Sequence, residues 1–180
     1  MSMTHYMELL ATNQPWNLLL FMAIPVILAE TIAVTELYLL YTRRYDGWVR
    51  QINRLAGMVV GVYFTGVFFY LLASAVLPLT TSGGWRGWID AVAVGFYLLG
   101  IVPLGGIALL EFKVIGGRRD EHGRMMIHAA LVGLFLIVAH IAMIFGMLDP
   151  TLGGAWQAPA TDMPMEMPMD HGDMGHGTAH

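Results

Sequence analysis

The chain has 180 residues, 57% hydrophobic and 12% charged, where a soluble domain carries about 25% charged residues. Nine basic residues against thirteen acidic ones leave no basic face for nucleic acid, and the absence of cysteine removes disulfides and thiolate metal sites. A lipid bilayer is the solvent that suits this composition.

The first fifteen residues lack a basic stretch before an apolar run, so no cleavable signal peptide is expected. They read as a short N-terminal segment, 1–15, in which Met1, Met3, His5 and Met7 gather soft and imidazole ligands. Four apolar stretches follow, at 17–41, 56–78, 88–112 and 125–148, each meeting the roughly 20 residues that cross a hydrocarbon core. Backbone groups in lipid must bond within their own segment, so these stretches are helices. The expected fold is all-α, a four-helix transmembrane bundle over 16–149 with a disordered C-terminal tail over 150–180.

The basic residues set the orientation. Arg43, Arg44, Arg50 and Arg54 lie between the first two spans and Lys113, Arg118, Arg119 and Arg124 between the last two, while the middle loop carries only Arg86. Positive loops stay inside, which predicts a multi-pass protein of the bacterial inner membrane with both termini periplasmic. Trp16, Trp85 and Trp88 suit the outer aromatic belt and Trp48 the inner one. Pro25 is expected to kink the first span, and Pro103 with Gly105 and Gly106 to loosen the third. Gly57, Gly61 and Gly66 offer close-packing points on the second.

Ionisable residues inside spans are costly and face a partner or a cavity. Glu30 and Glu36 on the first span and His128 and His140 on the fourth sit at depths that allow two carboxylate–imidazole pairs, Glu36 with His128 and Glu30 with His140. Glu111 and Asp90 fall nearer the membrane ends, where water is expected to solvate them. His140, Met143 and Met147 recur at helical spacing along one stripe, a path that a soft metal could follow.

The tail reads DMPMEMPMDHGDMGHGTAH. Met163, Met165, Met167, Met169 and Met174 with His171, His176 and His180 supply thioethers, which select Cu(I), and imidazoles, which accept either copper oxidation state. Copper is therefore the expected metal. Haem is the weaker expectation, because no histidine lies in the first three spans to complete bis-histidine ligation.

The opening NQPWNLLLFMAIPVILAETIAVTELYLLYTRR, with Asn13, Pro15, Trp16, Pro25 and Glu30, resembles small bacterial four-helix membrane proteins labelled only as permeases. The tail is similar to the Met/His-rich segments of periplasmic copper-resistance proteins. These features lead to copper handling at the inner membrane, by transport or by delivery to a partner. An accessory or scaffold subunit of a membrane respiratory or metalloenzyme complex is the first alternative, and a proton-coupled permease using Glu30 and Glu36 the second. No nucleophile, nucleotide loop or triad points to an enzyme. Four spans are few for a stand-alone transporter, so a homo-oligomer or a larger complex is expected.

Overall fold

The computed structural model describes residues 3–115 and 120–154. It is a bundle of helices: a short α1 (His5–Ala11) and four long apolar helices, α2 (Trp16–Thr42), α3 (Trp48–Ser82), α4 (Trp88–Glu111) and α5 (Glu121–Met147). The four long helices are long and apolar enough to cross a membrane. Connections of a few residues make successive long helices antiparallel. The α2–α3 and α4–α5 connections therefore share one end of the bundle, called here the arginine end, and α1 lies at the other with Arg86.

Proline shapes α2 through a widened turn, and the detail explains how lipid tolerates it. Pro25 has no N–H to give the carbonyl four residues earlier, which belongs to Phe21; the backbone widens into a π-helical turn over Leu19–Ala23. The hydroxyl of Tyr97 on α4 donates to the Phe21 carbonyl at 2.6 Å, and that of Tyr63 on α3 to the Leu20 carbonyl at 2.8 Å. The freed acceptors are thus satisfied by neighbouring helices, as hydrocarbon requires. A second π-helical turn, Leu72–Val76, precedes Pro78 in α3. Pro103 interrupts α4 at Gly100, between helical segments Trp88–Leu99 and Ile101–Glu111.

The centre of the bundle is Ala29, Ile32, Val60, Phe64, Ala93, Leu104, Ile107 and Ala142, all essentially without solvent contact. Gly61 lets α3 meet α4 closely, since a Cβ there would lie 2.3 Å from the Ala108 Cβ and 2.7 Å from the Leu104 carbonyl oxygen. Gly57 does the same against Ile107 and His128. Gly66, expected to pack closely, instead faces open space, with nothing within 4 Å of its Cβ position; it lies on the side of α3 turned away from α4.

α1 is an amphipathic cap rather than a loose end. Thr4 receives the Met7 N–H at its N-terminus and donates its hydroxyl to the Gly146 carbonyl at 2.7 Å, while Tyr6 and Leu10 bury one face. Tyr6 rests on Gly146 and against the ring of Tyr97, and burial pushes its phenol up to about 12. Beyond α5 the chain continues into a 3-10 turn, Pro150–Gly153, seated on Trp88 and Ile89.

Candidate functional site

Two regions stand out in this apolar bundle, a polar network inside its arginine-end half and a largely aromatic cavity opening on its side.

At the arginine end, four helices bring their ionisable residues to one point. Glu36 of α2, Glu111 of α4 and His128 of α5 are 3%, 1% and 1% exposed. His128 Nδ1 contacts Glu36 Oε1, and its Nε2 lies 3.4 Å from Glu111 Oε1. Arg50 of α3 takes Glu111 with both guanidinium arms, at 2.8 and 3.1 Å, the fork geometry that makes arginine–carboxylate pairs strong. Arg124 pairs with Glu121 at 2.9 Å and lies 3.8 Å from Glu111. Asn53, fully buried, receives Arg50 on its oxygen and donates to the Thr35 hydroxyl at 2.9 Å. Beside this set a cavity of about 280 Å³, lined by Arg54, Lys113 and Glu121 among others, reaches the arginine end.

Gly57 makes room for the imidazole. A Cβ there would stand 3.2 Å from His128 Nε2 and 3.4 Å from the Glu111 Cγ. Nε2 has no hydrogen-bond partner among the described residues. An imidazole whose two nitrogens face two carboxylates can take a proton on one side and release it on the other, because either nitrogen serves as donor or acceptor.

The pairing expected for Glu36 and His128 is therefore present; that of Glu30 with His140 is not. Six residues separate Glu30 from Glu36, and twelve separate His140 from His128. At about 1.5 Å per residue, His140 stands about 9 Å farther from the shared level than Glu30 does. Both side chains are exposed on the lateral surface. They and Met143 instead line one cavity of about 210 Å³ between α2, α4 and α5. Its walls carry Phe21, Phe64, Phe96, Tyr97 and Phe135, and Tyr6 closes the α1 end. His140 Nδ1 lies 2.6 Å from the Leu136 carbonyl oxygen; a carbonyl only accepts, so Nδ1 carries a proton, the tautomer that in a neutral ring leaves the lone pair on Nε2. Met147, 68% exposed, is not among the cavity-lining residues.

Glu111 and Asp90, expected to be solvated at the membrane ends, are both buried. Asp90 has no exposure and receives the His5 and Arg86 backbone N–H groups at 2.7 and 3.2 Å, with His5 Nδ1 at 2.6 Å. His5 thus holds α1 to α4, which engages one ring nitrogen of the N-terminal ligand cluster. Position along a helix gives depth but not the facing of the side chain, and here both carboxylates face inward. Arg50, read from the sequence only as a basic residue between spans, and Asn53, not singled out there, complete the arginine-end network; their i, i+3 spacing was the available signal. Among the described residues no three His, Asp or Glu side chains form a metal-ion site. The tail residues Met163, Met165, Met167, Met169, His171, Met174, His176 and His180 lie outside the described residues.

Comparison with curated proteins and with solved structures gives no match. Residues 1–163, most of the chain, match a family of unknown function, DUF6803, and the protein belongs to that family.

Proposed function

We propose that this chain is a proton-linked permease of the bacterial inner membrane whose cargo is a small, largely apolar molecule. The observation that carries the reading is the imidazole of His128 held between the buried carboxylates of Glu36 and Glu111. Intramembrane ionisable groups mark proton and substrate paths in membrane proteins, and this set has a polar cavity beside it for exchange with the cytoplasm. The cavity lined by Glu30 and His140 suits the cargo. Its aromatic walls favour an organic molecule over a hydrated ion, since an ion would lose its water and find few replacements there.

Proteoliposomes containing an entrapped pH indicator test the proton path. With a membrane potential imposed, the unmodified protein is expected to admit protons, and Glu36→Gln to admit them at least about tenfold more slowly per inserted molecule, general acid–base groups being worth that or more. Equal rates would end the proton-linked reading.

Copper handling is the second reading, favoured by the tautomer of His140. A metal-binding histidine usually donates its other N–H to a carbonyl or carboxylate, and His140 does so to Leu136, with Met143 lining the same cavity. The Met/His-rich tail would capture the ion in the periplasm. Purified protein loaded with Cu(I) is expected on this reading to lose most of its copper when residues 160–180 are deleted and the remainder on His140→Ala with Met143→Leu. Copper content unchanged by both alterations would remove it.

A further inference from the structure

The lateral cavity has a shape and polarity that specify its cargo more closely, an inference resting on the permease reading above. At about 210 Å³ it exceeds the apolar cavity of about 150 Å³ that accepts benzene, so one substituted aromatic ring fits. Phe64, Tyr97 and Phe135 supply ring faces and edges, which favour aromatic occupants in offset or edge-on packing. The two polar groups are separated along the cavity. The Glu30 carboxyl makes no hydrogen bond or ion pair among the described residues, and the free valence of His140 is the acceptor Nε2.

A carboxyl with no partner near the middle of a membrane-spanning helix is costly, and the cost falls when a ligand hydroxyl reaches it. The backbone levels of the two residues differ by about 9 Å, and on antiparallel helices both side chains lean toward their own N-termini and so toward one another, which brings both polar groups to the one cavity they line. At the His140 end the ligand that complements this tautomer is a donor, because a neutral ring offers only a lone pair at Nε2. Both polar groups are exposed on the bundle's side, so the ligand enters from the lipid and not from water.

We infer that the cavity binds the ring of a lipid-soluble hydroquinone, one hydroxyl donating to His140 Nε2 and the opposite hydroxyl to the Glu30 carboxyl. Its oxidised form has carbonyl oxygens in place of both hydroxyls and meets a lone pair at His140, so the site prefers the reduced ring. The dimethyl ether of the same ring keeps its shape and loses both donors.

Equilibrium binding of 2-decylhydroquinone to the purified full chain in detergent, kept reduced and anaerobic, tests this inference. Saturable binding is expected, with the dimethyl ether and the oxidised quinone each at least about tenfold weaker, the loss of one or two hydrogen bonds. Glu30→Leu and His140→Phe are each expected to weaken the hydroquinone about tenfold as well. Both substitutions place an apolar residue on a lipid-facing surface, so folding is favoured by them. Ala139→Trp, which fills the cavity, should abolish binding while the circular dichroism of the protein is retained. Equal affinity for the ether, affinity unchanged by both polar substitutions, or no saturable binding would each overturn the assignment. Absent binding with Glu36-dependent proton entry intact removes the hydroquinone and leaves the permease; binding as expected with proton entry unaffected by Glu36→Gln removes proton linkage and leaves the ring site.

Discussion

Replacing Glu111 by leucine should destabilise the bundle by about 3–5 kcal/mol, the cost of leaving a buried charge without its counter-charge. Glu111 is the point where the arginine-end network converges: it accepts both arms of Arg50, lies 3.8 Å from Arg124 and 3.4 Å from His128 Nε2. Without it Arg50, whose side chain is only 12% exposed, would keep Asn53 at 3.2 Å and the half-exposed Glu121 carboxylate at 3.9 Å, neither of which replaces the two-armed contact. Unfolding by a denaturing detergent in mixed micelles measures the loss. Arg50→Met combined with Glu111→Leu should cost clearly less than the two single changes added together, because the double variant removes the pair and orphans neither member. A single-variant loss under about 1 kcal/mol, the worth of an exposed ion pair, would mean that water reaches the network and that its geometry is not held by burial.

The spans were legible because crossing hydrocarbon imposes length and polarity on every residue of a helix at once. The ranges 17–41, 56–78, 88–112 and 125–148 anticipate α2 to α5, but α3 runs to Ser82 and begins at Trp48, beyond the apolar stretch that announced it. Its first two turns carry Arg50 and Arg54, which look like loop residues to a hydropathy count although they are helical. Gly47, at φ 97°, turns the chain into that helix immediately before Trp48, a conformation that glycine adopts without strain. Gly87 does the same before Trp88, at φ 102°.

The polar sites were legible only in part, for a reason that Glu36 and Glu30 illustrate. Six residues apart, they sit more than one and a half turns from each other, so one turns inward to His128 and the other outward to the cavity mouth. Depth was sufficient to find the first pair, since helices running in opposite directions bring equal depths together. It failed for Glu30 and His140 because the Glu36–His128 contact fixes the register of α2 against α5, and that register sets them apart. The role of Tyr97 was hidden for a different reason: a phenol among apolar residues has no pattern, and its task follows from Pro25 on another helix.

The tightest contact in the bundle predicts the second large effect. Gly61→Leu should prevent α3 and α4 from closing, because the first side-chain carbon alone would stand 2.3 Å from the Ala108 Cβ and 2.7 Å from a backbone oxygen. Neither neighbour is the movable end of a long side chain, so the helices themselves must separate. Overpacking in a well-filled core costs about 1–3 kcal/mol for added methylenes, and a leucine adds four carbons at a point without room for one. Separation would also draw Glu111 on α4 away from Arg50 on α3, since both pairs belong to the same helix interface. The expected result is little inserted, detergent-stable protein, measured as the monodisperse fraction on size exclusion after expression at equal level. Ala108→Gly in the same chain removes the nearer obstacle and should restore part of that fraction. Gly66→Leu, facing open space on the same helix, is the internal comparison and should leave the fraction unchanged. Equal yields for Gly61→Leu and Gly66→Leu would mean that α3 and α4 do not meet at Gly61 in the membrane.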